Sequence, residues 1–323
     1  MTAFPRGHRV RCRLIGEPDI DRIADLLHVG FPKRSRDAWR AALEKLARRP
    51  APEHFPRYGY MLESENSTAG VLLTIFAQVE NGQEVFHQGN ISSWYVDPAF
   101  RSYAPLLTAQ AQKHPDVTYI NTSPSVHTWP LIEAQGFTRF ADGIFVAATA
   151  LTAFRAADAV ALLRRTKSLF NRIALPENRS NFSARCLGKA KAYAFEDIRE
   201  NALPEAEYRM LRDHHEYGCL CFWCETEDGA VPFIFRRRVV AARLVPCAHL
   251  IYSRTIEDLS RFSGAISRFL LTKGIPVLTI GANGPLAGFA GRYFPNRRPM
   301  YYRGSHKPRV GDLTYTEWAL FGM

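Results

Sequence analysis

Apolar residues in the first half of the chain recur with two different periods, and the period changes at turn residues. Spacings of three and four residues predict helices over 18–31 and 36–49, and Pro50 ends the second of them. Shorter apolar stretches bounded by turn residues predict strands near 8–15, 57–63, 69–78, 86–96, 117–122 and 143–150. Two further helices are predicted, over 105–113 and ending near 133–137. The order βααβββαβαβ predicts a mixed α/β (α+β) sheet with antiparallel strands and one βαβ crossover.

The second half of the chain repeats this pattern weakly. Arg101 stands sixteen residues before Val117, the first residue of a predicted strand. Arg261 stands sixteen residues before Val277, which also begins a predicted strand. Equal spacings in matching contexts predict a tandem duplication of one fold.

The chain has 323 residues, and 46% of them are apolar. A chain of this length is expected to form two domains, because a single hydrophobic core stops growing near this size. We predict an N-terminal domain over 1–150 and a C-terminal domain over 194–323. Between them, 151–193 is rich in Lys and Arg and predicts a basic helix followed by a polar linker.

Lysine and arginine exceed the acidic residues and give a formal net charge of +11. This excess favours an anionic ligand or partner, for which a phosphate-rich cofactor, an anionic sugar or lipid and nucleic acid are all candidates. The N-terminal segment lacks the apolar core of a signal peptide. The longest apolar stretch, 144–154, is about half of what a bilayer needs. We therefore expect a soluble, cytoplasmic protein without a transmembrane segment.

One stretch, NISSWYVDPAFRSYAPLL (90–107), joins a predicted strand to a predicted helix through a short polar turn that contains Arg101. A helix N-terminus carries unpaired N–H groups and a partial positive charge, and both attract phosphate. Pro105 suits the first helical position, where a missing N–H matters least. The turn therefore predicts either an anion-binding loop or a simple connection.

The order of elements, together with WYVDPAFRSYAPLL (94–107) and SPSVHTWPLIEAQGF (123–137), resembles the GCN5-related N-acetyltransferase (GNAT) superfamily. The second half resembles a divergent copy, as in tandem-GNAT acyltransferases. The resemblance covers nearly the whole chain in outline, whereas its specific motifs cover about forty residues. It implies acetyl-CoA or another acyl-CoA as co-substrate, with no metal.

In that superfamily a loop of pattern Arg/Gln-x-x-Gly-x-Gly/Ala holds the CoA pyrophosphate by its backbone N–H groups. Read from Arg101, the two glycine positions are Ala104 and Leu106, and Pro105 removes one donor. The resemblance implies that the cofactor-binding residues are Trp94, Tyr95, Val96, Arg101, Ser102, Tyr103, Ala104 and Leu106.

Acyl transfer from a thioester needs a base, donors for the developing oxyanion and an acid for the leaving thiolate. The resemblance implies that backbone N–H groups of 94–96 serve as oxyanion donors. It also implies a tyrosine acid four residues before Gly136, but that position is Ile132. The candidates that remain are Tyr95, Tyr103, Tyr119, Ser123 and His127. We predict catalytic roles for His127, Ser123 and Tyr119, because an imidazole is a common general base and hydroxyls can carry protons.

The second half does not repeat the anion-binding turn. Its matching segment places Arg261 and Gly264 inside a helix that begins near Thr255, with Thr255 and Asp258 as a capping pair. An acidic helix start is a poor phosphate site. We therefore expect the C-terminal half to support the fold or to shape the acceptor site.

A cysteine-rich stretch, 219–224, follows two histidines and raises the possibility of zinc. Strand alternation places Cys219 and Cys221 on one face and Cys224 on the other. Their ligating atoms would then not converge, so we predict buried thiols and no metal site.

The sequence favours an acyltransferase that moves an acyl group from CoA to an amine or hydroxyl of a small or anionic acceptor. One alternative is a non-catalytic binding protein that has kept the fold, and Ala104, Leu106 and Ile132 favour it. The other is a Fem-like aminoacyl-tRNA-dependent transferase, which fits the positive charge but not the lack of a long coiled-coil insertion. Nucleic acid is the less favoured partner, and the sequence does not predict the oligomeric state.

Overall fold

The computed structural model describes residues 10–49, 51–65, 67–81, 84–154, 192–198, 202–226, 229–240 and 245–322. The predicted basic helix and linker, 151–193, lies outside these residues except at its two ends. None of the helices in the described ranges is both long and apolar enough to span a bilayer.

Within the described residues, twelve strands form one sheet with helices on both faces. The strands of the first half are β1 (Val10–Leu14), β2 (Gly59–Ser64), β3 (Ser67–Asn81), β4 (Glu84–Val96), β5 (Val117–Asn121) and β6 (Thr138–Ala148). The strands of the second half are β7 (Ala192–Ala194), β8 (Leu220–Thr226), β9 (Gly229–Val240), β10 (Val245–Ser253), β11 (Val277–Ala282) and β12 (Gly291–Arg303). The helices are α1 (Ile20–Gly30), α2 (Arg36–Arg48), α3 (Ala104–Ala111), α4 (Trp129–Ala134), α5 (Glu205–Glu216), α6 (Ile256–Arg261), α7 (Ser263–Thr272) and α8 (Glu317–Phe321).

The element types predicted for the first half agree with this structure, and the mixed α/β fold class is confirmed. Helix α2 has both of the local features that predict a helix, an N-terminal cap and a periodic apolar face. The Ser35 hydroxyl caps it by accepting a hydrogen bond from the Ala38 N–H, and its buried residues recur at helical spacing. Strand β6 begins at Thr138, five residues before the predicted start. The sequence did not predict this part of the strand, because Asp142 and Gly143 interrupt its apolar pattern.

The two parallel strand pairs of the sheet carry the signature of a duplication. In one pair, β4 and β5, His87 lies opposite Val117. In the other, β10 and β11, Cys247 lies opposite Val277. The same displacement of 160 positions relates both partners, so the repeated spacing seen in the sequence corresponds to a repeated structure.

The two halves exchange a strand at the centre of the sheet. The strand order is β1-β2-β3-β4-β5-β12-β6-β11-β10-β9-β8-β7. Strand β12 of the second half therefore lies between β5 and β6, and β6 of the first half pairs with β11. Each half is completed by a strand from the other. The domain boundaries 1–150 and 194–323 stay a prediction.

The core has a layer on each face of the sheet. On one face, α1, α2, α5 and α8 pack around buried residues such as Trp39, Leu211 and Trp318. On the opposite face, α3 and α4 cover the first half and α6 and α7 cover the second. Helix α8 touches both clusters of its face, because Leu320 and Phe321 pack with α1 and α2 while Trp318 and Ala319 pack with α5. It therefore lies where the two halves meet.

The helix predicted to begin near Thr255 is present with the expected cap. The Thr255 hydroxyl accepts a hydrogen bond from the Asp258 N–H at 2.9 Å. One detail differs: the helix is divided at Phe262 into α6 and α7, so Arg261 ends a helix instead of lying inside one.

Candidate functional site

Strands β4 and β5 separate near their carboxyl ends. They pair from His87 to Asn90; β5 then ends at Asn121, and β4 continues to Val96 paired with β3 alone. A bulge at Ser93, whose φ is +50°, accompanies the separation. We call the resulting gap the β4–β5 cleft; its residues are Asn90, Ser92, Ser93, Thr122 and Ser123.

The Asn90 side chain marks the point of separation. Its amide lies between the two strands and donates to the Ile120 carbonyl at 3.4 Å. Beyond Asn90, none of the described residues pairs in a ladder with the β4 edge that faces β5. The Ile91 carbonyl on this edge accepts from the Asn90 amide at 3.5 Å. The rest of the edge has no ladder partner, and such an edge can pair with an extended ligand.

Glu317, the first residue of α8, closes the cleft on the α8 face. Its carboxylate oxygen Oε1 accepts hydrogen bonds from the Thr122 hydroxyl at 2.8 Å and the Ser123 hydroxyl at 2.6 Å. Its backbone N–H donates to Asn90 Oδ1 at 2.9 Å. The Trp318 indole N–H donates to the Thr122 carbonyl at 3.2 Å. Two adjacent residues of α8 therefore attach the helix to the ends of both strands.

The Glu317 carboxyl group has the properties of an acid or base in a dry site. The residue is fully buried, and its second oxygen, Oε2, makes no hydrogen bond to any residue in the described ranges. Burial raises the pKa of Glu317, while the hydroxyls of Ser123 and Thr122 stabilise the charged form and act in the opposite direction. A carboxyl group with a raised pKa and one oxygen that makes no hydrogen bond is suited to proton transfer as a general acid or base.

Of the three predicted catalytic residues, the structure brings Ser123 alone to this carboxylate. Tyr119 is buried with α3 and α4 on the opposite face, where its hydroxyl accepts from the His114 N–H at 3.1 Å. His127 lies exposed in a 3₁₀ turn, Val126–Thr128. The geometry gives neither Tyr119 nor His127 a hydrogen bond to the cleft residues.

The predicted anion-binding turn is a 3₁₀ helix, Pro98–Tyr103, that leads directly into α3. Three backbone N–H groups of the turn and the residue after it have partners within the turn. The Asp97 carboxylate accepts from the Ala99 N–H, the Asp97 carbonyl from the Phe100 N–H and the Arg101 carbonyl from the Ala104 N–H. What the turn presents to solvent is a set of side chains, among them Arg101, Ser102, Tyr103 and Leu106, whereas Ala104 is half-buried. Its contribution to anion binding would come from the Arg101 charge.

The remaining predicted cofactor residues point to both faces of β4. Tyr95 packs on the α8 face, with its ring edge-on to Phe31 at 6.4 Å. Trp94 and Val96 pack on the opposite face with α3. The Trp94 indole nitrogen is buried without a hydrogen-bond partner among the residues described.

The sequence analysis predicted Ser123 but not the other residues of this site, which are Asn90, Ser92, Ser93, Thr122 and Glu317. A signal for Glu317 existed in the sequence, because it is the only charged residue in the run LTYTEWALFG, 313–322. A single acid within an apolar run is expensive to bury and marks a candidate functional group.

The cysteines lie as strand alternation predicted. Cys219 and Cys221 pack in the cluster below α5, and Cys224 packs in the cluster on the opposite face. His214 is engaged elsewhere, with Nδ1 donating to the Met210 carbonyl and Nε2 accepting from the Tyr315 N–H. In the described part of the chain no group of three or more His, Cys, Asp or Glu residues is arranged to hold a metal ion.

Comparison with known proteins finds similarity in structure but not in sequence. No family model and no curated protein matches the chain. A GCN5-related N-acetyltransferase from Anabaena variabilis is similar, with a TM-score of 0.54, 10% identity and coverage of 91% of this chain and 72% of that one. A proposed acetyltransferase from Pyrococcus horikoshii gives a TM-score of 0.51 at 12% identity and covers 95% of this chain and 93% of that one.

A third solved structure is a conserved protein of unknown function from Enterococcus faecalis, with a TM-score of 0.50 at 12% identity. It covers 96% of this chain and 74% of its own. These likenesses extend over nearly the whole chain, both halves included. The chain therefore has the fold of the GCN5-related N-acetyltransferases.

Proposed function

We propose that this protein transfers an acyl group from acyl-CoA to an amine or hydroxyl, with the chemistry in the β4–β5 cleft and Glu317 as the general base. The observation that carries the proposal is the buried carboxylate of Glu317, held by Thr122 and Ser123 at the point where β4 and β5 separate. A fold alone does not define a reaction, so the proposal depends on this site.

The proposed reaction is a direct attack on the thioester carbonyl. The Glu317 carboxylate removes the proton of the attacking amine or hydroxyl, the new bond to the acyl carbon forms, and the bond to the CoA sulfur breaks. Backbone N–H groups on the unpaired edge of β4 are the candidate donors to the developing oxyanion. Ser123 keeps the carboxylate oriented and favours its ionised form.

Two features of the chain fit an acyl-CoA. The unpaired edge of β4 supplies backbone groups that can pair with the amide-containing arm of CoA. Arg101 is exposed at the start of α3 and can pair with a phosphate of the same ligand.

The test measures release of free thiol from acetyl-CoA and from longer acyl-CoAs in the presence of amine and hydroxyl acceptors. We expect turnover by the wild-type protein and a loss of about 10²- to 10⁴-fold for Glu317→Gln, because one proton transfer is removed. Glu44→Gln, an exposed carboxylate on α2, is the control and should keep full activity. Because burial raises the pKa of Glu317, the rate should fall with decreasing pH at pH values above the ordinary pKa of a glutamate.

Calorimetry separates binding from chemistry. We expect Glu317→Gln to bind acyl-CoA as tightly as the wild type, since the carboxylate acts on the acceptor. Failure of the wild type to bind any acyl-CoA in the micromolar range contradicts the proposal. Equal turnover by wild type and Glu317→Gln would show that Glu317 is not the general base.

One observation favours a second candidate, a non-catalytic protein that binds through the same fold. The N–H groups of Ala99, Phe100 and Ala104 are already engaged within the 3₁₀ turn, and Glu317 is fully enclosed. Thiol release above the uncatalysed rate excludes this candidate.

A further inference from the structure

Two arginines from different strands meet over one indole ring on the α8 face of the second half. The Arg238 guanidinium of β9 lies 4.5 Å from the centre of the Trp318 ring, and that of Arg298, in β12, lies 5.9 Å from it. Neither forms an ion pair with an acidic residue in the part of the chain that the structure describes. Two close positive charges without a counter-ion are costly unless an anion joins them.

Arg238 shows that cost. The residue is partly buried, and burial together with the nearby Arg298 charge lowers the pKa of Arg238 to about 10. An arginine pair next to an aromatic ring is a common arrangement for binding carboxylate and phosphate groups, because the planar guanidinium can donate two parallel hydrogen bonds.

A buried histidine lies beneath the same indole. The His249 ring stacks on Trp318 with 4.1 Å between ring centres. The Thr279 hydroxyl donates to the Ala248 carbonyl at 3.1 Å, so it accepts from His249 Nδ1 at 2.9 Å. Nδ1 therefore carries the proton, and Nε2 is an acceptor. His249 is fully buried, and Nε2 has no hydrogen-bond partner among the described residues.

The backbone of β12 is irregular around Arg298. The register of β12 against β6 shifts between Pro295 and Met300. Within that irregular segment Asn296 and Arg298 both have φ of +54°, the left-handed region. Such a conformation is uncommon for residues other than glycine, and it occurs most often at functional sites.

We propose that Arg238, Arg298 and His249 form a site for a small anion of the carboxylate or phosphate class. The two guanidinium groups bind the anionic group beside Trp318, and His249 Nε2 accepts a hydrogen bond from an adjacent N–H or O–H of the ligand. Trp318 directly follows Glu317 in α8, so the site adjoins the proposed base. This inference rests on the proposed function in one respect: it identifies the acceptor as an amine or hydroxyl compound that carries an anionic group.

Calorimetric titration with inorganic phosphate and with acetate, in the absence of CoA, tests the site itself. We expect wild-type binding to weaken about tenfold or more in Arg238→Met and in Arg298→Met, because each removes a charge-assisted hydrogen-bonding group. Arg292→Met is the matched control, since Arg292 lies on the same strand over Phe294 and away from Trp318. Its affinity should stay within twofold of wild type. Arg238→Lys keeps the charge and should retain part of the binding, which excludes loss of folding as the cause.

The two probes identify the ligand class. Tighter binding of phosphate assigns a phosphorylated acceptor, and tighter binding of acetate assigns a carboxylate. Failure of wild type to bind either anion at millimolar concentration overturns the site, as does equal weakening by Arg292→Met. Because the titration contains no CoA, a failed acyl-CoA experiment does not affect it. If transfer is observed, Arg238→Met should raise KM for anionic acceptors and leave KM for neutral acceptors unchanged.

Discussion

The β4–β5 pair and the β10–β11 pair are two copies of one arrangement, and they differ in what occupies the gap where the strands separate. In the second half the chain fills this gap itself. The Leu313 N–H donates to the Ile251 carbonyl, and the Ser253 N–H donates to the Gly311 carbonyl. The segment 311–313 thus pairs with the free edge of β10. In the first half the corresponding edge of β4 has no backbone partner in the described ranges, and a polar cluster around Glu317 faces it.

This difference indicates why acyl-CoA binding is expected in the first copy only. A strand edge that is already paired offers no donors or acceptors to an extended ligand, whereas an unpaired edge does. The second copy instead presents side chains, Arg238 and His249, around Trp318. Helix α8 connects the two, because Glu317 faces the first copy and Trp318 faces the second.

The largest effect is expected where the two copies share a strand. Tyr301 of β12 is fully buried, lies opposite Asn121 of β5, and its hydroxyl donates to Glu133 at 3.0 Å. Tyr301→Ala should lower the free energy of unfolding by about 3–5 kcal/mol, as large-to-small core substitutions do. Urea denaturation, followed by fluorescence and circular dichroism, should give one transition because the sheet is continuous. Tyr208→Ala, on the outer side of α5, is the control. Two separate transitions would show that the halves unfold independently.

The next effect is on the pH dependence of stability, for which one histidine of each half is compared. His214 of the second half is fully buried, and burial lowers its pKa to about 4, whereas His127 of the first half is exposed. His214 is therefore protonated near pH 6.5 in the unfolded state, but only near pH 4 in the native state. The contribution of neutral His214 to the free energy of unfolding is fully present above pH 6.5. It falls by about 2–3 kcal/mol as the pH drops to 4. His214→Gln should flatten this pH dependence of stability, and His127→Gln should not. If the free energy of unfolding of His214→Gln depends on pH as steeply as that of the wild type, other groups cause the dependence.

A smaller effect is expected at matching positions of the two clefts. Ser123 donates to Glu317, whereas its counterpart 160 positions later, Asn283, donates to the Phe140 carbonyl. Ser123→Ala should lower the acyl-transfer rate about tenfold, since one hydrogen bond to an ionised group is lost. Loss of that bond raises the pKa of Glu317 further, so the acid limb of the pH–rate profile should move to higher pH. Asn283→Ala should leave that limb in place. A shift in both variants would contradict the distinction between the clefts.

The smallest effect concerns the two arginines at equivalent positions of the repeat, Arg101 and Arg261. Arg101→Glu reverses an exposed charge near α3 and should weaken acyl-CoA binding about fivefold, the size typical of a screened surface contact. Arg261→Glu, at the end of α6, should leave the dissociation constant within twofold. The comparison is made by calorimetry at low and at physiological salt. Equal weakening by both would mean that net charge, rather than a site near α3, attracts the ligand.

Features set by local sequence could be predicted, and those set by long-range pairing could not. The periodicity of α2 and the Thr255 cap depend on residues three or four apart, so they are visible in the sequence. The strand exchange of β6 and β12 depends on which of several similar edges each strand meets, and no local pattern records that choice.

The same division applies to the candidate site. Ser123 was predicted as one of the substitutes for the missing tyrosine acid, and it lies just after β5, where its hydroxyl donates to Glu317. Its partner Glu317 is 194 residues away along the chain, so only the fold brings the two together. The anion-binding turn was predicted from a helix start, but its N–H groups proved to be occupied by Asp97 and Arg101, a local choice between α and 3₁₀ geometry that the motif does not reveal.

The central claim is that the first copy of the fold, and not the second, binds acyl-CoA. A crystal structure with a non-hydrolysable acyl-CoA analogue tests it most directly. The account predicts the arm of CoA along the unpaired edge of β4, with the thioester next to Ser92, Ser123 and Glu317, and no ligand beside β10. Density for the analogue between β10 and β11, with the β4–β5 cleft empty, would contradict it.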